Sequence, residues 1–161
     1  MLKICRDKWS KNENKLREKL KKIDLNKCGY KKLVQLTIDN ILNDIPDSEK
    51  KWNIKKIKVI DDGEYQGTLL FVIPMETYQP SSYEYLITCV EYGSCSGCDT
   101  LQAIQEWKTK KDEKGNYLYT KRQLDDFMSL CRDILFNIKR PYFDKFIVDD
   151  EQDDWSEIKN D

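Results

Sequence analysis

The run Thr68-Leu69-Leu70-Phe71-Val72-Ile73 is apolar at every position after the first and stops at Pro74. A strand that is apolar on both faces suits the centre of a sheet covered by helices, because each exposed face would leave apolar surface in water. The rest of the chain must therefore supply strand partners and covering helices. The flanking segments fit that demand. Ile54 to Ile60 alternates Lys with Ile and Val, the pattern of a strand with one wet face. Asp61-Asp62-Gly63 is a hairpin signal between the two. Tyr78-Gln79-Pro80-Ser81-Ser82 reads as a loop, and Tyr83 to Tyr92 as a third strand. The connections are short, which favours an antiparallel meander.

Helical periodicity brackets these strands. Ser10-Lys11-Asn12-Glu13 has the form of a capping box, with Leu16, Leu20 and Ile23 following on one face. Asn26-Lys27-Cys28-Gly29 breaks that helix. A second helix is predicted from Tyr30 to Asp44, with Val34, Ile38, Ile41, Leu42 and Ile45 as its buried stripe and Pro46 as its stop. After the sheet, Asp99 and Gln102 form another capping box before a helix that reaches Trp107. Lys108 to Asn116 is a charged, flexible connection. Thr120 and Gln123 open a last helix whose apolar face holds Leu124, Phe127, Met128, Cys131, Ile134, Leu135 and Ile138, ending before Pro141. The expected fold is one α+β domain over residues 1–148: two N-terminal helices, a three-stranded antiparallel meander and two C-terminal helices. Leu69, Phe71 and Ile73 should share one sheet side, Leu70 and Val72 the other. Tyr142 to Val148 should add a short strand or lie along the surface, and residues 149–161 should form an acidic tail.

Composition narrows the function. The net charge of -1 gives no global reason to bind nucleic acid. No run is long enough to span a membrane, and Met1 to Lys8 has no apolar signal core, so a cytoplasmic location is expected. The six Cys should then be mostly free thiols. His is absent, which removes Cys–His, His–metal and Ser–His–Asp chemistry.

The chemistry that remains concentrates in Gly93-Ser94-Cys95-Ser96-Gly97-Cys98-Asp99, where a strand hands over to a helix. A Cys-x-x-Cys turn supports three readings. As a redox pair it has the local plan of a thioredoxin site. However, the chain continues into helices where that fold needs strands, and Ser94 stands where an aromatic is usual. As a zinc site, Cys95 and Cys98 supply two of four ligands, with Cys89 or Cys28 as candidates to join them. As a packing turn, Gly93 and Gly97 supply positive φ, Ser94 and Ser96 bond the backbone, and the thiols pack. The other Cys have simpler places: Cys131 in the core and Cys5 near a loose terminus. Tyr65, Tyr78, Tyr83, Tyr85 and Tyr92 cluster around the sheet, and Tyr is favoured in protein interfaces.

The stretches Asp62 to Ile73, Tyr78-Gln79-Pro80 and Tyr92 to Ile104 together resemble a family of small uncharacterised tailed-phage and prophage proteins. Tyr-Gly-Ser-Cys-Ser-Gly-Cys-Asp-Thr-Leu-Gln carries most of the resemblance. It implies a phage gene product in a host cytoplasm and transfers no catalytic residue. Small phage proteins of this kind often act on host proteins, defence systems among them. The expected function is therefore a non-enzymatic protein that binds and modulates a host protein. Its contact surface would be built from Tyr65, Tyr78, Tyr92, Gly93, Ser94, Ser96 and Asp99, with no cofactor. The alternative is a thiol-based module, redox or zinc, on Cys95 and Cys98.

Overall fold

The computed structural model describes residues 1–107 and 109–141. Helix α1 spans Leu2–Leu20 and buries Cys5, Trp9, Asn12, Leu16 and Leu20, spaced by three and four residues along one face. Ser10 is therefore an exposed mid-helix residue, not an N-cap, and Cys5 is fully buried instead of sitting near a loose end. Trp9 and Cys5 extend the buried stripe one and two turns back from Asn12, and that stripe outweighs the local capping signal. Helix α2 spans Tyr30–Thr37 and continues as a π-helical turn over Ile38–Leu42. Asn12 ties the two together by donating its amide to the Ile41 carbonyl at 3.2 Å.

The sheet is the expected meander. Strand β1 (Lys58–Asp61) pairs with β2 (Gly67–Pro74), which pairs with β3 (Tyr85–Tyr92), all antiparallel, in the order β1-β2-β3. Strand β1 is shorter than its alternation suggests. Asn53 caps a 3₁₀ turn at Ile54–Lys56 by accepting from the Lys55 and Lys56 amides, and this local bond competes with extension. The register sets Phe71 opposite Thr88, Ile73 opposite Leu86 and Leu69 opposite Val90. That face carries the buried Phe71, Ile73, Leu86, Thr88 and Val90. The Thr88 hydroxyl donates to the Ile134 carbonyl at 2.8 Å, which fixes the helical layer on this side. The opposite face is covered less than the apolar run predicts: Leu70, Val72 and Ile87 are half-buried, while Ile60 and Cys89 are exposed.

Helix α3 (Thr100–Gln105) is capped by Asp99, and helix α4 (Lys121–Phe136) by Thr120, each side chain accepting from an amide three residues on. Neither Gln completes a capping box. Gln102 donates instead to the Gly93 carbonyl, and Gln123 to the carbonyls of Ile104 and Trp107. Between these helices, the segment expected to be flexible forms a hairpin of β4 (Lys110–Lys111) and β5 (Tyr117–Leu118). Asp112 nucleates its turn by accepting from the Lys114 and Asn116 amides, and Gly115 takes φ +79° there. Helix α4 packs against α1, α2, α3 and β3 and contributes the fully buried Phe127, Cys131 and Leu135. Past its end, Lys139 bridges to Ile87 on the outer edge of β3. The segment Tyr142 to Val148 and the acidic tail 149–161 lie outside the described residues.

Candidate functional site

The strand-to-helix turn is held from beneath by a buried carboxylate. Asp99 is 5% exposed. Its Oδ1 accepts from the Gln102 amide at 2.9 Å and the Tyr30 hydroxyl at 3.0 Å, and its Oδ2 accepts from the Gly93 amide at 3.1 Å. Tyr30 in turn accepts from the Leu101 amide at 3.2 Å. Burial pushes the Tyr30 phenol up to about 12, so it stays protonated and remains a donor. Gln102 closes the ring by donating to the Gly93 carbonyl at 3.1 Å. Asp99 is therefore a structural residue, not part of a contact surface. Tyr30, 69 residues away in sequence, is its partner, and no local pattern marks it.

On this base the two thiols stand exposed, with Sγ atoms 3.0 Å apart. That is about 1 Å beyond the length of a disulfide bond. The Cys95 amide donates to Cys98 Sγ at 3.3 Å. The Cys98 thiol is held below the ordinary thiol range. Hydrogen bonds from the Cys95 side chain and backbone are the main cause, with Ser94 adding to them. Gly93 is required by close approach: a Cβ there would fall 2.4 Å from Cys98 Sγ and 2.5 Å from the Cys98 carbonyl oxygen. Neither Gly93 nor Gly97 takes positive φ, contrary to the expectation for this turn. At Gly97 a Cβ would meet only Cys95 Sγ, at 3.8 Å.

The two cysteines proposed as further metal ligands lie elsewhere. Cys89 is exposed on the outer face of β3. Cys28 is buried, donates to the Gly29 carbonyl, and has its thiol pushed up to about 11 by burial. Among the described residues, no group of three or more Cys, Asp or Glu side chains converges in a way that could hold a metal ion.

The tyrosines divide between the two ends of the sheet. The pairing of Gly67 with Tyr92 places the β1–β2 loop, with Tyr65, at the same end as the Cys turn. Tyr78 lies in the β2–β3 loop beyond Pro74 and Tyr85, seven residue steps away, or about 23 Å of strand. Tyr65 and Tyr78 are both strongly exposed, but they do not share a surface. Tyr92 donates to Asp61 Oδ1 at 2.6 Å, and that bond pushes its phenol up to about 12 while lowering Asp61. Ser94 is exposed and Ser96 half-buried on the turn itself. Of the expected contact residues, Tyr65 and Ser94 are exposed and Ser96 and Tyr92 half-buried at this end of the sheet, Gly93 and Asp99 are buried beneath them, and Tyr78 lies at the other end. No helix among the described residues is long and apolar enough to cross a membrane. Comparison of the chain with protein-family models, with curated proteins and with solved structures gives no match.

Proposed function

We propose that the chain is a thiol-based module in which Cys95 and Cys98 exchange with a disulfide of a partner protein. The exposed pair of sulfurs at 3.0 Å, with Cys98 biased toward thiolate, carries this reading. The Cys98 thiolate attacks one sulfur of the partner disulfide, forming a mixed disulfide and releasing a partner thiolate. The Cys95 thiol gives its proton to solvent, and its thiolate attacks Cys98 Sγ. This closes the Cys95–Cys98 disulfide and releases the second partner thiolate. Two electrons pass to the partner. No other side chain is needed, which suits a chain without His.

Intact-mass analysis across a series of glutathione redox buffers tests this. The reading expects a reversible two-electron closure confined to the Cys95–Cys98 peptide and abolished by Cys95→Ser or Cys98→Ser. Resistance of that pair to oxidation in the folded protein would overturn it.

A second reading is a phage-derived binder that modulates a host protein in the cytoplasm. It is favoured by Tyr65, 80% exposed at the same sheet end as the thiols. The two readings separate on two variants. A binder keeps its host partner in a pulldown when Cys95 and Cys98 are both Ser and loses it on Tyr65→Ala. An exchange protein shows the reverse.

A further inference from the structure

The outer face of the sheet is an apolar surface with no function in either reading above. Its centre is Leu70 and Val72, half-buried, flanked by Ile87 on β3 and by Ile60 on β1, 55% exposed. Cys89 lies exposed among them. We propose that this face is the docking site of the chain's own C-terminal segment, residues 142–161.

Three observations single out that occupant. The first is where the segment starts. Lys139 and Ile87 exchange both backbone hydrogen bonds at 2.8 Å, so the chain is delivered to the β3 edge of this face only two residues before Pro141. The second is composition and reach. Tyr142, Phe143, Phe146, Ile147 and Val148 are five apolar residues within the first seven of the segment. Extended, those seven span roughly 23 Å, and crossing from β3 to β1 takes only about 10 Å. The third is charge. Residues 142–161 hold eight acidic and two basic side chains, a net -6, against +5 for the rest of a chain whose total is -1. At the far edge of the face, Lys58 stands on β1 opposite Val72, with Lys55 and Lys56 in the turn just before it; all three are exposed and have no ion-pair partner among the described residues. An acidic run at 149–154 that follows an apolar stretch reaches those lysines after the apolar residues have covered the face.

Cys89 reports on the cover. The full-length protein is labelled with N-ethylmaleimide and the rate at each thiol is read by peptide mass mapping. Cys89 should react at least about tenfold more slowly than in a Phe143→Asp/Phe146→Asp variant, the protection expected when the covered state dominates. Cys95 should react equally in both. Cys131, fully buried in the core, should stay unlabelled in both and so shows that the fold is intact. A second variant, Lys55→Glu/Lys56→Glu/Lys58→Glu, alters no buried residue and should also speed Cys89 labelling. Equal Cys89 rates in the wild type and the lysine variant, or in the wild type and a folded Phe variant, would overturn the proposal. So would Cys89 protection that grows with protein concentration alongside a dimer in sedimentation, because the occupant would then be a second copy.

Discussion

Replacing Asp99 by Ala removes one acceptor from three donors at once. Loss of the N-cap bond to the Gln102 amide costs about 1 kcal/mol. The Gly93 amide loses its acceptor in a buried position, which costs roughly 1–3 kcal/mol. The Tyr30 hydroxyl loses its acceptor but still receives the Leu101 amide, so its share is at the low end of that range. The sum is on the order of 3 kcal/mol. For a domain of this size that lowers Tm by about 6–12 °C. Urea unfolding followed by tryptophan fluorescence, to which the buried Trp9 contributes, would measure it, with an unchanged m-value showing that the denatured state is unaltered. Tyr30→Phe should cost less, about 1 kcal/mol, because Asp99 keeps its two amide donors. The double variant should show coupling of about 0.5 kcal/mol or more. A loss below about 1 kcal/mol for Asp99→Ala would mean that water replaces the carboxylate and that the turn is not built on it.

The remaining predictions concern the same turn and α1. Gly93→Ala should destabilise by roughly 1–3 kcal/mol, since its Cβ collides with Cys98, whereas Gly97→Ala should be nearly neutral; paired thermal melts read the contrast. Ser10→Ala should be neutral to stabilising by a few tenths of a kcal/mol, as expected mid-helix, where a true N-cap would lose about 1 kcal/mol. Trp9→Ala should cost roughly 3–5 kcal/mol, because its ring packs edge-on against Phe136 in the core. Alkylation of Cys98 should rise with pH through a midpoint below that of an ordinary thiol, because its thiolate is the hydrogen-bonded form. Cys95→Ala should move that midpoint upward; an unchanged midpoint in stopped iodoacetamide assays would sink the assignment of Cys95 as its cause.

Much of the architecture is legible in the linear order of residues. The apolar run ending at Pro74, the Asp–Gly hairpin signal and the wide stripe of α4 are local patterns, and local patterns carry element type. The caps at Asp99 and Thr120 are legible for the same reason, since donor and acceptor are three residues apart. The Cys-x-x-Cys spacing likewise marks the place where two thiols can meet. What the residues alone leave open are relations between distant segments. Whether Asp99 faces solvent or the interior depends on Tyr30 being brought beneath it from α2. Whether Tyr65 and Tyr78 can act together depends on which sheet end each loop occupies. The apolar run signals that both faces of β2 prefer cover, but where the helices pack is a property of the assembled layers, and α4 takes one face only. Short-range chemistry is thus set by neighbours in sequence, while burial and long-range hydrogen bonds exist only once the chain has folded back on itself.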